Sequence, residues 1–193
     1  MLFEGRPGVA EDEKRAFAFA SAGAALGCAH SKGALGGCYV AGYGVAKDEG
    51  RGLALGRESE AAGSCFGQFV VGKCYDEGWG VAQDNAEAVR LYGLAAAQGH
   101  AVAQYNLGVM FQNDQGVAQD YAEAVRLYSL AAAQGHADSQ VNLGTLFESG
   151  EGILLLDNGQ GVGQDRAEAI RWYRLAAAQG NAWAKTRLKT LGA

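Results

Sequence analysis

The chain has 193 residues, 49% apolar and 19% charged, with 30 glycines, a single proline and a formal charge of −5. Glycine without a strict every-third-residue pattern excludes collagen, and the apolar share excludes compositional disorder. No apolar run approaches the ~20 residues of a membrane-spanning helix, and the mild acidity leaves no footprint for nucleic acid.

The first predicted helix opens at Gly8-Val9-Ala10-Glu11-Asp12, and that string keeps returning. It recurs every 36 residues as Gly44 to Asp48, Gly80 to Asp84 and Gly116 to Asp120, then after 45 as Gly161-Val162-Gly163-Gln164-Asp165. Each Asp is placed to cap a helix, and Glu87, Glu123 and Glu168, three places on, complete an Asp-x-x-Glu capping box. The second predicted helix carries Leu35-Gly36 and then Tyr39. Its counterparts carry Val71-Gly72 with Tyr75, Leu107-Gly108 with Phe111, and Leu143-Gly144 with Phe147. In the helix after Asp48, Gly52 and Gly56 fill slots that hold Ala88 and Tyr92 one repeat later, and the first helix has Ala20 in the tyrosine slot. Fewer large side chains and more glycine predict that residues 1–63 are helical but less stable than the rest.

From Asp84 onward the pattern is fuller. Ala88, Leu91, Tyr92, Ala95 and Ala96 fall on one helical face, and Gly99 supplies a left-handed stop, as Gly135 and Gly180 do later. The next helix, Ala101 to Gln112, aligns Ala103, Leu107, Gly108 and Phe111. A mid-helix glycine costs about 1 kcal/mol against alanine. Its return in every unit therefore predicts a backbone approach too close for a Cβ. Two further segments break the period. Ile153, Leu154, Leu155 and Leu156 lie in a nine-residue insertion, where they either fold back on adjacent helices or protrude as a contact patch. Residues 166–193 carry a net +5 against −10 for residues 1–165, which suits a solvated terminal cap or an acidic partner.

A period of 36 residues built of two helices predicts units that bury their apolar faces by stacking. The run Ala103-Gln104-Tyr105-Asn106-Leu107-Gly108, the loop Gln115-Gly116-Val117-Ala118-Gln119-Asp120, then Ala124, Leu127-Tyr128 and Ala131 to Gly135 resemble a Sel-1-like repeat. The resemblance spans nearly the whole chain and implies an all-α, right-handed αα superhelical solenoid akin to tetratricopeptide repeats. Expected repeats are 28–63, 64–99, 100–135 and 136–180, with half-units at 1–27 and 181–193. Phe3 falls in the Tyr75 slot, so the chain starts in mid-unit, and we expect a piece of a longer array.

The resemblance also implies a working surface. The Leu-Gly helices would line a concave groove, with contacts from Phe66, Phe69, Lys73, Val102, Tyr105, Val109, Asp138, Val141, Thr145 and Trp183. Asp76, Glu77, Gln112 and Asn113 would continue the series at the rim. A second reading has a tight superhelix burying these aromatics against one another. The function expected is a non-enzymatic scaffold or adaptor holding a peptide or partner protein. Two alternatives are β-lactam binding or hydrolysis, as the resemblance to cysteine-rich members implies, and a self-stacking array associating through open repeat ends.

Few residues suggest other chemistry. Cys38 and Cys74 share a slot, as Cys28 and Cys65 do to within one residue. Stacked repeats set such atoms roughly 10 Å apart, beyond the ~7 Å between Cα atoms that a disulfide spans. Buried or half-buried free thiols are expected. Lys14 to Cys28 imitates a secretion signal with a lipid-attachment cysteine, but acidic residues precede it, it keeps the repeat register, and Leu26 is one place late. A cytoplasmic location is therefore expected, or a secreted, periplasmic or ER-lumenal one if the chain is a fragment. His100 and His136 share a slot and read as solvated helix-start residues, too far apart to share a metal. No catalytic pairing, metal site or cofactor fingerprint is expected; Gly78-Trp79-Gly80 and Gly150-Glu151-Gly152 are turns.

Overall fold

The computed structural model describes residues 9–150 and 165–193. Among them are ten helices and no strand. The helices fall into two compact units, Met1–Gln98 and Gly99–Ala193. The first holds α1 (Val9–Ala25), α2 (Ala29–Ala41), α3 (Glu49–Ala61), α4 (Cys65–Glu77) and α5 (Asn85–Ala97). The second holds α6 (Ala101–Gln112), α7 (Tyr121–Ala133), α8 (Ala137–Ser149), α9 (Arg166–Ala178) and α10 (Ala182–Thr190). Within each unit every helix packs on its chain neighbour, and α2 also lies against α4. No described helix is long and apolar enough to cross a membrane.

The helix starts follow the sequence in part. Asp48, Asp84, Asp120 and Asp165 each accept a hydrogen bond from the backbone N–H three residues on, at Arg51, Glu87, Glu123 and Glu168. The expected return from glutamate to the capping residue is not made. The cap N–H donates instead to the carbonyl of Tyr39, Tyr75, Phe111 or Phe147 in the preceding helix, at 2.9–3.0 Å. Glu87, Glu123 and Glu168 instead pair with Arg90, Arg126 and Arg171, one turn along. Asp12 departs further, because α1 already begins at Val9 and carries Glu11 and Asp12 in its first turn. Carboxylates there favour the positive end of the helix dipole without capping it. Helix ends behave as predicted, with Gly27, Gly63, Gly99, Gly135 and Gly180 left-handed at φ +77° to +94°.

The core is the predicted stripe. Ala88, Leu91, Tyr92 and Ala95 are fully buried, as are Ala124, Tyr128 and Ala131 one repeat later and Ala169, Tyr173 and Ala176 in α9. Each buried tyrosine lies across the glycine of a Leu-Gly or Val-Gly pair. A Cβ at Gly72 would sit 3.0 Å from Tyr92 Cδ1, at Gly108 2.8 Å from Tyr128 Cε1, and at Gly144 2.3 Å from Tyr173 Cε1.

The repeat at residues 28–63 solves the same problem with backbone. A Cβ on Gly36 would meet the Gly52 carbonyl oxygen at 2.8 Å, and one on Gly52 would meet Val40 Cγ1 at 2.5 Å. A Cβ on Gly33 would lie 2.7 Å from the Gly67 amide nitrogen, and one on Gly67 would clash with the Glu60 amide nitrogen. The extra glycines that suggested a looser region therefore stand where α2, α3 and α4 cross. Their entropic cost remains, but they let these helices approach more closely than side chains would allow.

Candidate functional site

The Leu-Gly helices α2, α4, α6, α8 and α10 carry the side chains expected to meet a ligand, and these divide by exposure. In the first unit, Phe66 is 38% exposed, while Phe69 is half-buried with its ring 6.0 Å from Tyr92. Lys73 reaches Glu77 at 3.4 Å and lies 5.1 Å from the centre of the Trp79 ring. In the second unit, Val102 is 38% exposed and Trp183 48%, the latter edge-on to Tyr173 at 5.4 Å. Asp138 and Thr145 are exposed, although the Thr145 hydroxyl donates to the Val141 carbonyl. Tyr105, Val109 and Val141 are half-buried and pack against the buried cores. Tyr105 stands 5.9 Å from Tyr128 and 4.7 Å from the His136 ring. Phe66, Val102, Asp138, Thr145 and Trp183 are thus exposed, and Phe69, Lys73, Tyr105, Val109 and Val141 half-buried. Ile153, Leu154, Leu155 and Leu156, like Phe3, lie outside the described residues.

The rim series needs correction. Asp76 accepts from the buried Tyr92 hydroxyl at 3.1 Å, and Gln112 accepts from Tyr128 at 2.7 Å. Glu148, in the same slot, accepts from Tyr173 at 2.9 Å and from Arg187 Nε at 2.8 Å. A buried phenol needs an acceptor, and this slot supplies it. Burial raises the Asp76 carboxyl, with the Tyr92 hydrogen bond opposing. The Arg187 guanidinium holds Glu148 below its ordinary range. Glu77 and Asn113 do stay exposed.

The architecture has relatives. The Sel1 repeat family model matches residues 1–28, 31–64, 66–100, 101–136 and 137–181. The chain belongs to the Sel1 repeat family. It is similar to the solved Sel1 repeat protein from Oxalobacter formigenes, with 28% identity and a TM-score of 0.75 over 93% of this chain and 69% of that one. It also resembles c5321, a protective antigen of uropathogenic Escherichia coli displaying an SLR fold. Identity there is 30% and the TM-score 0.72, over 91% of this chain but 36% of that one. The immunity protein Pa5087 from Pseudomonas aeruginosa, 21% identical with a TM-score of 0.60 over 89% of this chain and 60% of its own, shares the fold alone. No protein of curated function matches the chain. Sel1 repeat proteins are generally protein-interaction scaffolds.

Three features of these Sel1 repeats escaped sequence reading. Gln98, Gln134 and Gln179, just past the Ala-rich helices, donate to Gln68, Gln104 and Gln140 at 2.7–2.9 Å. Both glutamine series keep the repeat spacing, so their register was the available clue. Second, His100 and His136 are half-buried helix-start residues. Their Nδ1 atoms cap α6 and α8 by accepting from the Ala103 and Ser139 amides. Desolvation lowers both imidazole pKa values. Third, Cys65 Sγ and His30 Nε2, far apart in sequence, come within 4.0 Å. All four cysteines are free. Cys38 and Cys74 are buried and Cys65 half-buried as expected, but Cys28 is exposed at the start of α2. The basic C-terminal segment is in part a structural cap: Arg187 holds Glu148, Arg166 donates to the Leu191 carbonyl, and Arg171 pairs with Glu168. Among the described residues no group of three His, Cys, Asp or Glu side chains could hold a metal.

Proposed function

We propose that the chain is a non-enzymatic interaction module that holds a peptide or partner protein in the groove expected along its Leu-Gly helices. The observation that carries this reading is the exposure of Phe66, Val102 and Trp183, at 38%, 38% and 48%, in corresponding slots of α4, α6 and α10. Large apolar groups in water cost free energy that docking recovers, and aromatics are the usual anchors of such contacts. Asp138 and Thr145 stand beside the apolar positions in the second unit and supply polar selection. In the first unit half-buried Phe69 and Lys73 share α4 with Phe66, and in the second half-buried Tyr105, Val109 and Val141 lie on the Leu-Gly helices α6 and α8.

The informative variant is Phe66→Ser with Val102→Ser and Trp183→Ser, because Phe69 and Tyr105 also hold the core. Partners captured by the wild type should be lost by the triple variant while its melting temperature stays within a few degrees. An unchanged set of captured partners, with the variant folded, overturns the reading.

A further inference from the structure

The geometry points to a proton-operated latch at His136: neutral, it caps α8 and packs against Tyr105, and on protonation it gives up the cap and shifts against the Tyr105 ring. The neutral ring is committed on two sides. Its Nδ1 accepts from the Ser139 amide at 3.3 Å and lies 3.0 Å from the Ser139 hydroxyl. Its ring centre lies 4.7 Å from that of Tyr105 on α6, with the two planes tilted by 39°. An Nδ1 that accepts from an amide has no proton of its own, so the tautomer is the one protonated at Nε2. A second proton must go to Nδ1. There it removes the acceptor from the Ser139 amide, leaves the Ser139 hydroxyl oxygen as the partner of the new N–H, and puts a cation at the positive end of a helix. The ring then swings from the Ser139 amide toward the Ser139 hydroxyl, or α8 frays at its first turn. Either movement shifts the imidazole against the Tyr105 ring.

The groups facing the ring are few. Asp138, on its own helix, is the charged group acting on it among the described residues, and favours the protonated form. From α6 the facing titratable group is the Tyr105 phenol, itself raised by burial and by Asp138. Burial opposes Asp138 and dominates, keeping the imidazole neutral at pH 7. The chain also contains the non-titrating version of the device. Asn181 takes the equivalent cap position at α10 and accepts from the Ala184 amide at 2.9 Å through a side chain without a proton equilibrium. The consequence for a ligand, that mildly acidic surroundings reshape the groove at Tyr105, rests on the proposed function; the latch itself does not.

The test therefore needs no ligand. In the full chain, long-range ¹H–¹⁵N spectra of the histidines and ¹³C spectra of the tyrosine rings would be followed from pH 7.5 to 4.5, with Tyr105 assigned through Tyr105→Phe. We expect His136 as the Nε2–H tautomer, titrating below the ordinary ~6.5, with Tyr105 shifting at the same midpoint. In His136→Asn the Tyr105 shift in that window should vanish, while the Ser139 amide stays protected at pH 7.5. A His136 midpoint at or above 6.5, the other tautomer, or a Tyr105 transition that persists in His136→Asn overturns the latch. Should that variant fail to fold, Asp138→Asn decides: both midpoints must move down together, and separation of the two overturns the proposal. Loss of ligand binding in the Phe66, Val102 and Trp183 variant bears only on the groove, so the two failures are distinguishable.

Discussion

Cysteine illustrates how far one residue type can diverge within a repeat. Cys38 and Cys74 occupy equivalent buried slots, and burial pushes both thiols up, Cys74 to about 11. Cys28 is exposed, and hydrogen bonding from Ser31 lowers its thiol. Since thiolate is the reactive form, accessibility and ionisation act in the same direction here. Titration of the native chain with a chromogenic disulfide at pH 7.5 should label Cys28 first. Cys65, half-buried beside His30, should follow, and Cys38 and Cys74 should react only after denaturant is added. Four equal fast phases without denaturant would contradict the buried placement. The expectation of shielded thiols failed at Cys28 because exposure at a helix start depends on what the preceding helix covers, which spacing does not encode.

At the scale of the helix, glycine carries two opposite meanings that sequence cannot separate. Gly93 in α5 has nothing within 4 Å of a built Cβ, whereas a Cβ on Gly144 in α8 would lie 2.3 Å from Tyr173 Cε1. Gly93→Ala should stabilise the chain by up to about 1 kcal/mol through helix propensity alone. Gly144→Ala gains the same propensity but overpacks against a fully buried ring, so a net loss of about 1–3 kcal/mol is expected. Chemical denaturation of the two variants at one pH checks both signs. Gly144 was legible because a glycine recurs beside Leu or Val in that slot, whereas the packing role of Gly52 and Gly56 was not, because they interrupt a pattern. What they contact is the backbone of α2 and the valines of α4, and no one-dimensional period reports a crossing between helices. The tyrosine acceptors failed for a related reason. Asp76, Gln112 and Glu148 are chemically different residues in one slot, and their common task appears only once the Tyr92, Tyr128 and Tyr173 hydroxyls are placed. Where Gly56 replaces the tyrosine, the acceptor slot holds buried Val40, so the pair is lost as a unit.

Over the whole molecule, the perturbed groups set the pH range in which the fold is most stable. His100 and His136 have folded-state values below 6.5. The unfolded chain therefore binds more protons as pH falls below about 6.5. Stability is full above that pH and declines as pH drops through the folded values; the lowered Glu87 and Glu148 add a further loss below about 4.5. On the alkaline side the folded values are raised, for Cys38 and Cys74 from 9.0 and for Tyr128 and Tyr173 from 10.0, Tyr173 to about 12. These groups stay neutral when folded but ionise when unfolded, so stability is full below about 9 and declines as pH rises toward the folded values. The melting temperature should thus be flat between roughly pH 6.5 and 9 and fall on both sides. His100→Asn combined with His136→Asn keeps both caps without the titration, and should extend the plateau downward toward the carboxylate range. Cys38→Ala and Cys74→Ala should leave the acid limb untouched. An acid limb that does not move in the histidine double variant would mean that carboxylates alone set it, and that the capping imidazoles contribute nothing to the pH dependence of folding.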